Sequence, residues 1–258
     1  MNSETAIPSG EFTSVTEGRA NILFPKNEVF YNPAQQFNRD LSVSVIRTYS
    51  ESLVTRKQLR KAAWEERQKS QDGEEQQPPP SPTSGEPTQR KISILEALSA
   101  SGLRAVRYAL EIPSVSTVYA NDMSPSAIEA IHRNIAHNNL PSNLVKVSQS
   151  DANALMYSFR LDQVDVIDLD PYGTATPFID AAIQAIANDG LICVTCTDMA
   201  VSAGIGYPEK CYANYGGMPA KQEYTHEVVI PMIAISNVGF APSIELDRVD
   251  GRKIWTCD

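Results

Sequence analysis

The chain is poor in several things that would each have decided its class. No apolar run approaches the ~20 residues that a membrane span needs, so no membrane partner is expected. The opening MNSETAIPSGEF lacks both the cationic, apolar pattern of a secretory signal and the Arg-rich pattern of a transit peptide. Cysteine is scarce: four in 258 residues, at 193, 196, 211 and 257, make no disulfide framework and point to a reducing intracellular compartment. Positive charge is in deficit, with Lys+Arg 22 against Asp+Glu 31 for a net −9 and a pI near 4.9. A simple basic nucleic-acid binder looks different, so any contact with RNA or DNA needs a local patch. Neither G-x-G-x-x-G nor G-x-x-x-x-G-K-[ST] occurs, which argues against a dinucleotide or a nucleoside triphosphate.

What is present begins with a core: 42% of the residues are hydrophobic, enough for a sizeable interior. Residues 1–18 are polar and read as loose. Ala20 to Pro33 suggests two short strands with Pro25 and Asn27 at the turn. Leu41, Val45, Tyr49 and Leu53 recur every four residues, which predicts a helix over 40–66 with a charged, solvated end in TRKQLRKAAWEERQK. Residues 67–90 are rich in Pro, Gln and Glu and have no apolar side chains to bury. They read as a disordered insertion without chemistry. The extension 1–66 is thereby set apart from a main domain over 91–226.

From Lys91 strands and helices alternate. ISILEALS, STVYANDM, LVKVSQSDA, VDVIDLDPYG and GLICVTCTDM read as strands, with helices such as SGLRAVRYALEI and SPSAIEAIHRNIAHNNL between them. Such a βαβ series predicts an α/β, Rossmann-like, doubly wound and mostly parallel sheet, with ligands at the carboxyl ends of the strands. Cys193 and Cys196 form a C-x-x-C inside the fifth strand. Residues three apart on a strand face opposite ways, so both are read as packing residues and no metal site is assigned.

The residues just past each strand carry the pattern. Glu96 is followed by Ser99, Ser101 and Gly102, a small-residue turn that a ligand can approach closely. Asp122 stands about twenty residues beyond Gly102, where an acid commonly binds ribose hydroxyls. Asp151 and Ala152 end the third strand and suit an adenine edge. Each acid alone is an ordinary strand end or helix cap; three in succession favour a phosphate-free nucleoside, and S-adenosylmethionine fits. Asp170, Pro171 and Tyr172 follow the fourth strand, beside the expected methyl group. The exocyclic amine of a base is a poor nucleophile because its lone pair is delocalised into the ring. A carboxylate plus the Pro171 carbonyl would orient it and take its proton, and Tyr172 could stack on the base. Asp168, two residues earlier and on the same strand face, is the competing carboxylate.

The stretches ILFPKNEVFYNPAQQFNRDLS, ILEALSASGLRAVRYALEIP, ANDMSP, DANALMY, VIDLDPYGTATPFIDAAIQ and GLICVTCTDMAVSAG closely resemble the eukaryotic and archaeal tRNA (guanine-26 N2)-dimethyltransferases. The likeness covers most of 16–50 and 91–226. It implies a class I S-adenosylmethionine-dependent methyltransferase with tRNA as substrate, working in the nucleus and also the mitochondrion. It further implies that Arg39 of FNRD and Arg104 of SGLR bind the cofactor, a role on the methionine carboxylate being apt for an arginine fork. Asp122 matches the ribose acid, Asp151 and Ala152 the adenine contacts, and Asp170 the catalytic carboxylate. The competing reading for the two arginines is an ion pair to Asp40 or Glu96. After YGGMPAKQEYTHE the likeness fades, and Pro231 interrupts the helix expected beyond Glu227. Residues 227–258 are therefore read as a divergent tail in place of the family's tRNA-gripping C-terminal domain. The alternatives are a relative that binds cofactor or a partner without catalysis, and a base-amine methyltransferase acting on another nucleic acid.

Overall fold

A computed structural model describes residues 11–26, 31–70, 91–202, 206–219 and 253–257. The β-branched runs form the strands expected from their pattern: β3 (Ile92–Glu96), β4 (Val115–Asp122), β5 (Val145–Gln149), β6 (Val164–Leu169) and β7 (Ile186–Thr195). With β8 (Lys253–Cys257) they make one six-stranded sheet in the order β5-β4-β3-β6-β7-β8, and every pairing is parallel. All six residues of β6 are buried, as a central parallel strand covered on both faces requires.

Helices cover both faces. Val43, Ile46, Tyr49 and Leu53 of α1 (Gln36–Ser70) and Ala105, Tyr108 and Ile112 at α2 (Leu103–Glu111) share one apolar cluster, which Ile131 of α3 (Pro125–His137) also joins. Met156 of α4 (Ala152–Ser158) and Ile179, Ala182 and Ala185 of α5 (Thr176–Ala185) form the second cluster on the other face. The doubly wound architecture is thus borne out. Cys193 lies in the first cluster and Cys196 in a separate small one with Cys211 and Tyr215, so both are packing residues.

Three expectations need correction. Phe12–Glu17, read as loose, is strand β1, antiparallel to β2 (Ala20–Pro25); the turn is at Gly18, whose φ of 57 suits glycine. The turn expected at Pro25 and Asn27 therefore falls after the hairpin, and residues 27–30 lie outside the described residues. Helix α1 runs past 66 to Ser70, so 67–70 are helical, and the rest of the Pro-rich segment, 71–90, lies outside the described residues. The inward face of α1 also differs: Leu41 is exposed and Val45 only half-buried, while Val43 and Ile46 are buried. A strict four-residue repeat advances about 40° per step on a 3.6-residue helix, so Leu41 and Val45 stand off the buried face that Tyr49 and Leu53 reach.

The hairpin docks by polar as well as apolar contact. Asn134 and Asn138, one turn apart on α3, accept the backbone N–H of Leu23 and Asn21 at 2.9 Å each. They satisfy the open edge of β2. Beneath it Ile22 and Phe24 pack on Leu103 and Val106 of α2. Glu17 closes the assembly. Its buried carboxylate takes Arg39 Nε at 2.7 Å and Nη2 at 2.6 Å, and Arg107 Nη1 at 2.7 Å, joining β1 to α1 and α2. Arg107 also pairs with Asp40 at 2.7 Å and Glu111 at 2.8 Å.

Burial alone would push the Glu17 carboxyl up, but the bonds and charges of Arg39 and Arg107 outweigh it and hold it below the usual glutamate value. A carboxyl held low in the folded state stabilises above its unfolded pKa, and that contribution is lost as pH falls through the folded one. Glu17→Gln leaves two buried guanidiniums facing a neutral amide and is expected to cost about 3 kcal/mol at neutral pH. The deficit should shrink as pH drops below the ordinary glutamate range, which urea unfolding across pH would measure.

Candidate active site

The parallel register sets the chemistry side by side. Glu96 on β3 is the pairing partner of Asp168 on β6, which in turn pairs with Cys193 on β7. The chain leaves β3 through Ala100, a non-glycine residue at φ 46, and Gly102 at φ 76, then enters α2. This turn delivers Arg104 beneath the strand ends, where its side chain is 4% exposed. A guanidinium has five N–H donors; Arg104 makes four hydrogen bonds and one further ion-pair contact. Nε donates to Asp170 Oδ2 at 3.0 Å and Nη2 lies 2.9 Å from the same oxygen. Nη1 donates to Ser42 Oγ at 3.0 Å and Asp168 Oδ2 at 3.3 Å, and Nη2 to Thr195 Oγ1 at 3.3 Å.

One turn along α2, the buried Tyr108 hydroxyl donates to the same Asp168 oxygen. Burial pushes the Asp168 carboxyl above its ordinary value despite the Arg104 charge and this bond. Asp168 Oδ1 is buried and has no hydrogen-bond partner among the described residues. Burial also pushes Glu96 up, to about 8, helped by the nearby Asp168 charge and opposed by the Ser99 hydroxyl, which donates to it at 2.6 Å.

Past β6 the chain turns through Asp170, Pro171, Tyr172 and Gly173. Pro171 is buried and Tyr172 is 87% exposed. Gly173 has φ 85, a conformation natural to glycine. The turn is tied down from β7: Thr197 N donates to Gly173 O at 3.1 Å, and Gly173 N to Thr197 Oγ1 at 3.3 Å. After the short α6 (Met199–Ser202), the buried Tyr215 of α7 (Pro208–Tyr215) brings its hydroxyl 2.7 Å from Thr174 Oγ1 and 3.1 Å from Asp198 Oδ2.

A cleft of about 290 Å³ opens beside this turn, lined by Phe24, Ala100, Ser101, Asp122, Arg133 and Tyr172 among others. Asp122 receives backbone N–H groups from Ala100 on Oδ2 and Ser124 on Oδ1, both at 2.9 Å. Asp122 and Tyr172 therefore share the cleft, and Arg104 and Asp170 form one cluster behind it. Asp151 is an exposed helix cap, accepting Ala154 N at 2.9 Å, and Ala152 is buried behind it. Neither lines the cleft. Arg39 does not line it either; its fork is on Glu17, with its guanidinium 5.3 Å from the Tyr31 ring centroid. The ion pairs weighed for the two arginines exist, with Glu17, Asp168 and Asp170 as partners instead of Asp40 or Glu96. Tyr108, Thr195, Tyr215 and Glu17 went unnoticed in the sequence. Only Tyr108 carried a usable signal, its place one helical turn after Arg104.

Residues 10–239 match the family described as N2,N2-dimethylguanosine tRNA methyltransferase. The chain belongs to this family. It is 43% identical over 242 residues to the tRNA (guanine(26)-N(2))-dimethyltransferase of Schizosaccharomyces pombe, covering 88% of this chain and 44% of that protein. It is 48% identical over 241 residues to the mitochondrial enzyme of that name from Saccharomyces cerevisiae, covering 86% of this chain and 42% of that protein. Among solved structures, Trm1 from Pyrococcus horikoshii in complex with S-adenosyl-L-methionine superposes with a TM-score of 0.65 at 29% identity, over 88% of this chain and 55% of that one. The chain thus spans less than half the length of these two curated relatives.

The Glu96 environment gives a pH signature. Its folded pKa is raised, so between about 4.5 and about 8 the folded chain holds a proton that the unfolded chain has released. Stability from this group is full below 4.5 and falls as pH rises to about 8. Glu96→Gln keeps the acceptor for Ser99 and should flatten that slope in denaturation measured from pH 5 to 8. An unchanged slope would place the titration elsewhere.

Proposed function

We propose that this chain transfers methyl groups from S-adenosylmethionine to the exocyclic N2 of guanosine 26 in tRNA. The observation that carries the reading is the grouping of Asp122 and Tyr172 around one cleft, with Asp170 in the turn that presents Tyr172. Family membership supplies the substrate class. The residues fit a nucleoside: each oxygen of Asp122 has accepted one backbone N–H and keeps acceptor capacity for a ribose hydroxyl. Asp122, Arg39, Arg104, Asp151 and Ala152 are the residues that we assign to holding the cofactor. On Arg39, Nη1 is the nitrogen left without an acceptor among the described residues. When bound, S-adenosylmethionine supplies a methyl group activated by its sulfonium.

The chain's own part is orientation and proton handling. Asp170 is the carboxylate of the cluster that reaches solvent, and it is the group that accepts an N2–H of the guanine and holds its proton. The Pro171 carbonyl is a second acceptor in the same rigid turn, and the exposed Tyr172 ring offers a face for the base to stack on. Because the turn is pinned by Thr197 and Tyr215, its backbone and the Pro171 carbonyl are held in place before the base arrives, which favours the transition state over the free amine. A tRNA substrate makes the setting intracellular. We assign it to the nucleus or the mitochondrion, the S. cerevisiae relative being named as mitochondrial.

Methyl transfer to unmodified tRNA with position mapping tests the reading, and absence of a methyl group at N2 of position 26 overturns it. Asp170→Asn should bind cofactor and turn over roughly 10²–10⁴-fold more slowly. Tyr172→Phe should be mild and Tyr172→Ala severe, because stacking needs the ring and not the hydroxyl. Transfer at the parental rate by Asp170→Asn would remove this carboxylate from the reaction.

A further inference from the structure

Arg104 is enclosed by its own partners. It makes four hydrogen bonds, to Ser42, Asp168, Asp170 and Thr195, and its Nη2 makes a further ion-pair contact with Asp170. A ligand carboxylate can therefore reach this guanidinium only by replacing one of the four residues. They are not equally replaceable. Ser42 and Thr195 are each 2% exposed and Asp168 is 1% exposed. Asp168 is further anchored by the Tyr108 hydroxyl. The Asp170 side chain is 29% exposed, and water can take over its hydrogen bonds when it leaves. Like charges point the same way: Arg104 already faces two carboxylates, and a third placed on the same fork repels both unless Asp170 moves aside.

We propose that Arg104 is a shared fork: it holds Asp170, and it exchanges that side chain for the carboxylate on the methionine end of the methyl donor. The inference rests on the proposed function and deepens it. Asp170 stays on the arginine until that carboxylate displaces it. It is released to accept the guanine amine only once the donor is in place. The base is thus made available by the co-substrate it serves, and the order of binding, donor before base, is built into one side chain.

The test uses ligand binding to the intact chain and not turnover. S-adenosylhomocysteine carries the carboxylate and 5′-methylthioadenosine lacks it. With the arginine side chains ¹⁵N-labelled, S-adenosylhomocysteine should move the Arg104 Nε–H resonance and 5′-methylthioadenosine should leave it in place. In calorimetry, Asp170→Ala should tighten S-adenosylhomocysteine by roughly 3- to 10-fold, the scale of a partly exposed ion pair with one buried partner. Binding of 5′-methylthioadenosine should change less than about twofold. Tighter binding of S-adenosylhomocysteine with an unmoved Arg104 signal would mean long-range charge relief and would overturn the exchange. So would unchanged or weaker binding by Asp170→Ala. If neither nucleoside binds the unsubstituted chain, the methyl-donor reading fails, and the exchange with it.

Discussion

A guanidinium that is almost entirely out of water must be surrounded by acceptors or it destabilises the fold by several kcal/mol. Arg104 is in that position, and its surroundings dictate how the rest of the molecule is assembled. Its partners come from α1 (Ser42), β6 (Asp168), the turn after β6 (Asp170) and the end of β7 (Thr195). The three buried partners, Ser42, Asp168 and Thr195, cannot shift without leaving an N–H unsatisfied inside the protein. The strand ends, which a parallel sheet leaves open, are thereby closed from beneath by α2 and from the side by α1. The acids at those ends also require the arginine. Without it Asp168 would be a lone buried charge between a tyrosine and a buried, protonated Glu96.

Three residues further along α2, Arg107 applies the same logic to the hairpin. Leu103 and Val106 give β2 an apolar seat, but direction comes from Glu17, which is shared by Arg39 and Arg107. The hairpin brings Phe24 and Pro25 to the rim of the cleft. The N-terminal segment is thus a wall of the site, held by a buried ion cluster. One nine-residue helix carries both clusters, one for the site's floor and one for its wall.

The central sheet was legible in the sequence because its signals are local. β-branched runs of four to eight residues punctuated by acids need no knowledge of distant partners, and the five strands and their helices follow from them. Asp122 and the Asp170 turn were legible for the same reason, since a strand end followed by a small or rigid residue marks itself. The hairpin was not. FTSVTE has one charged residue directed inward, Glu17, and its partners lie 22 and 90 residues away. The partners weighed for Arg39 and Arg104 were near neighbours, Asp40 and Glu96, while the structure chose acids distant in sequence. Tyr215 had no sequence signal at all, because its role depends on α7 returning to the Asp170 turn.

Asp168 and Asp170 show how placement divides two residues that sequence alone leaves equivalent. Both follow the same apolar run, both face the same way, and both touch Arg104. One lies inside β6, deeply buried, with Tyr108 donating to it; such a carboxylate cannot meet a ligand without dismantling the cluster. The other lies one residue past the strand, where the sheet's hydrogen bonding has ended and solvent begins. Moving two residues along a strand covers only ~6.6 Å, yet it crosses from the interior to a partly exposed turn beside the cleft. Asp168 is therefore a fixed part of the fold's charge balance. Asp170 carries the same charge on the same arginine but remains free on its outer side, and only a carboxylate with that freedom can both respond to a ligand and accept a proton from one.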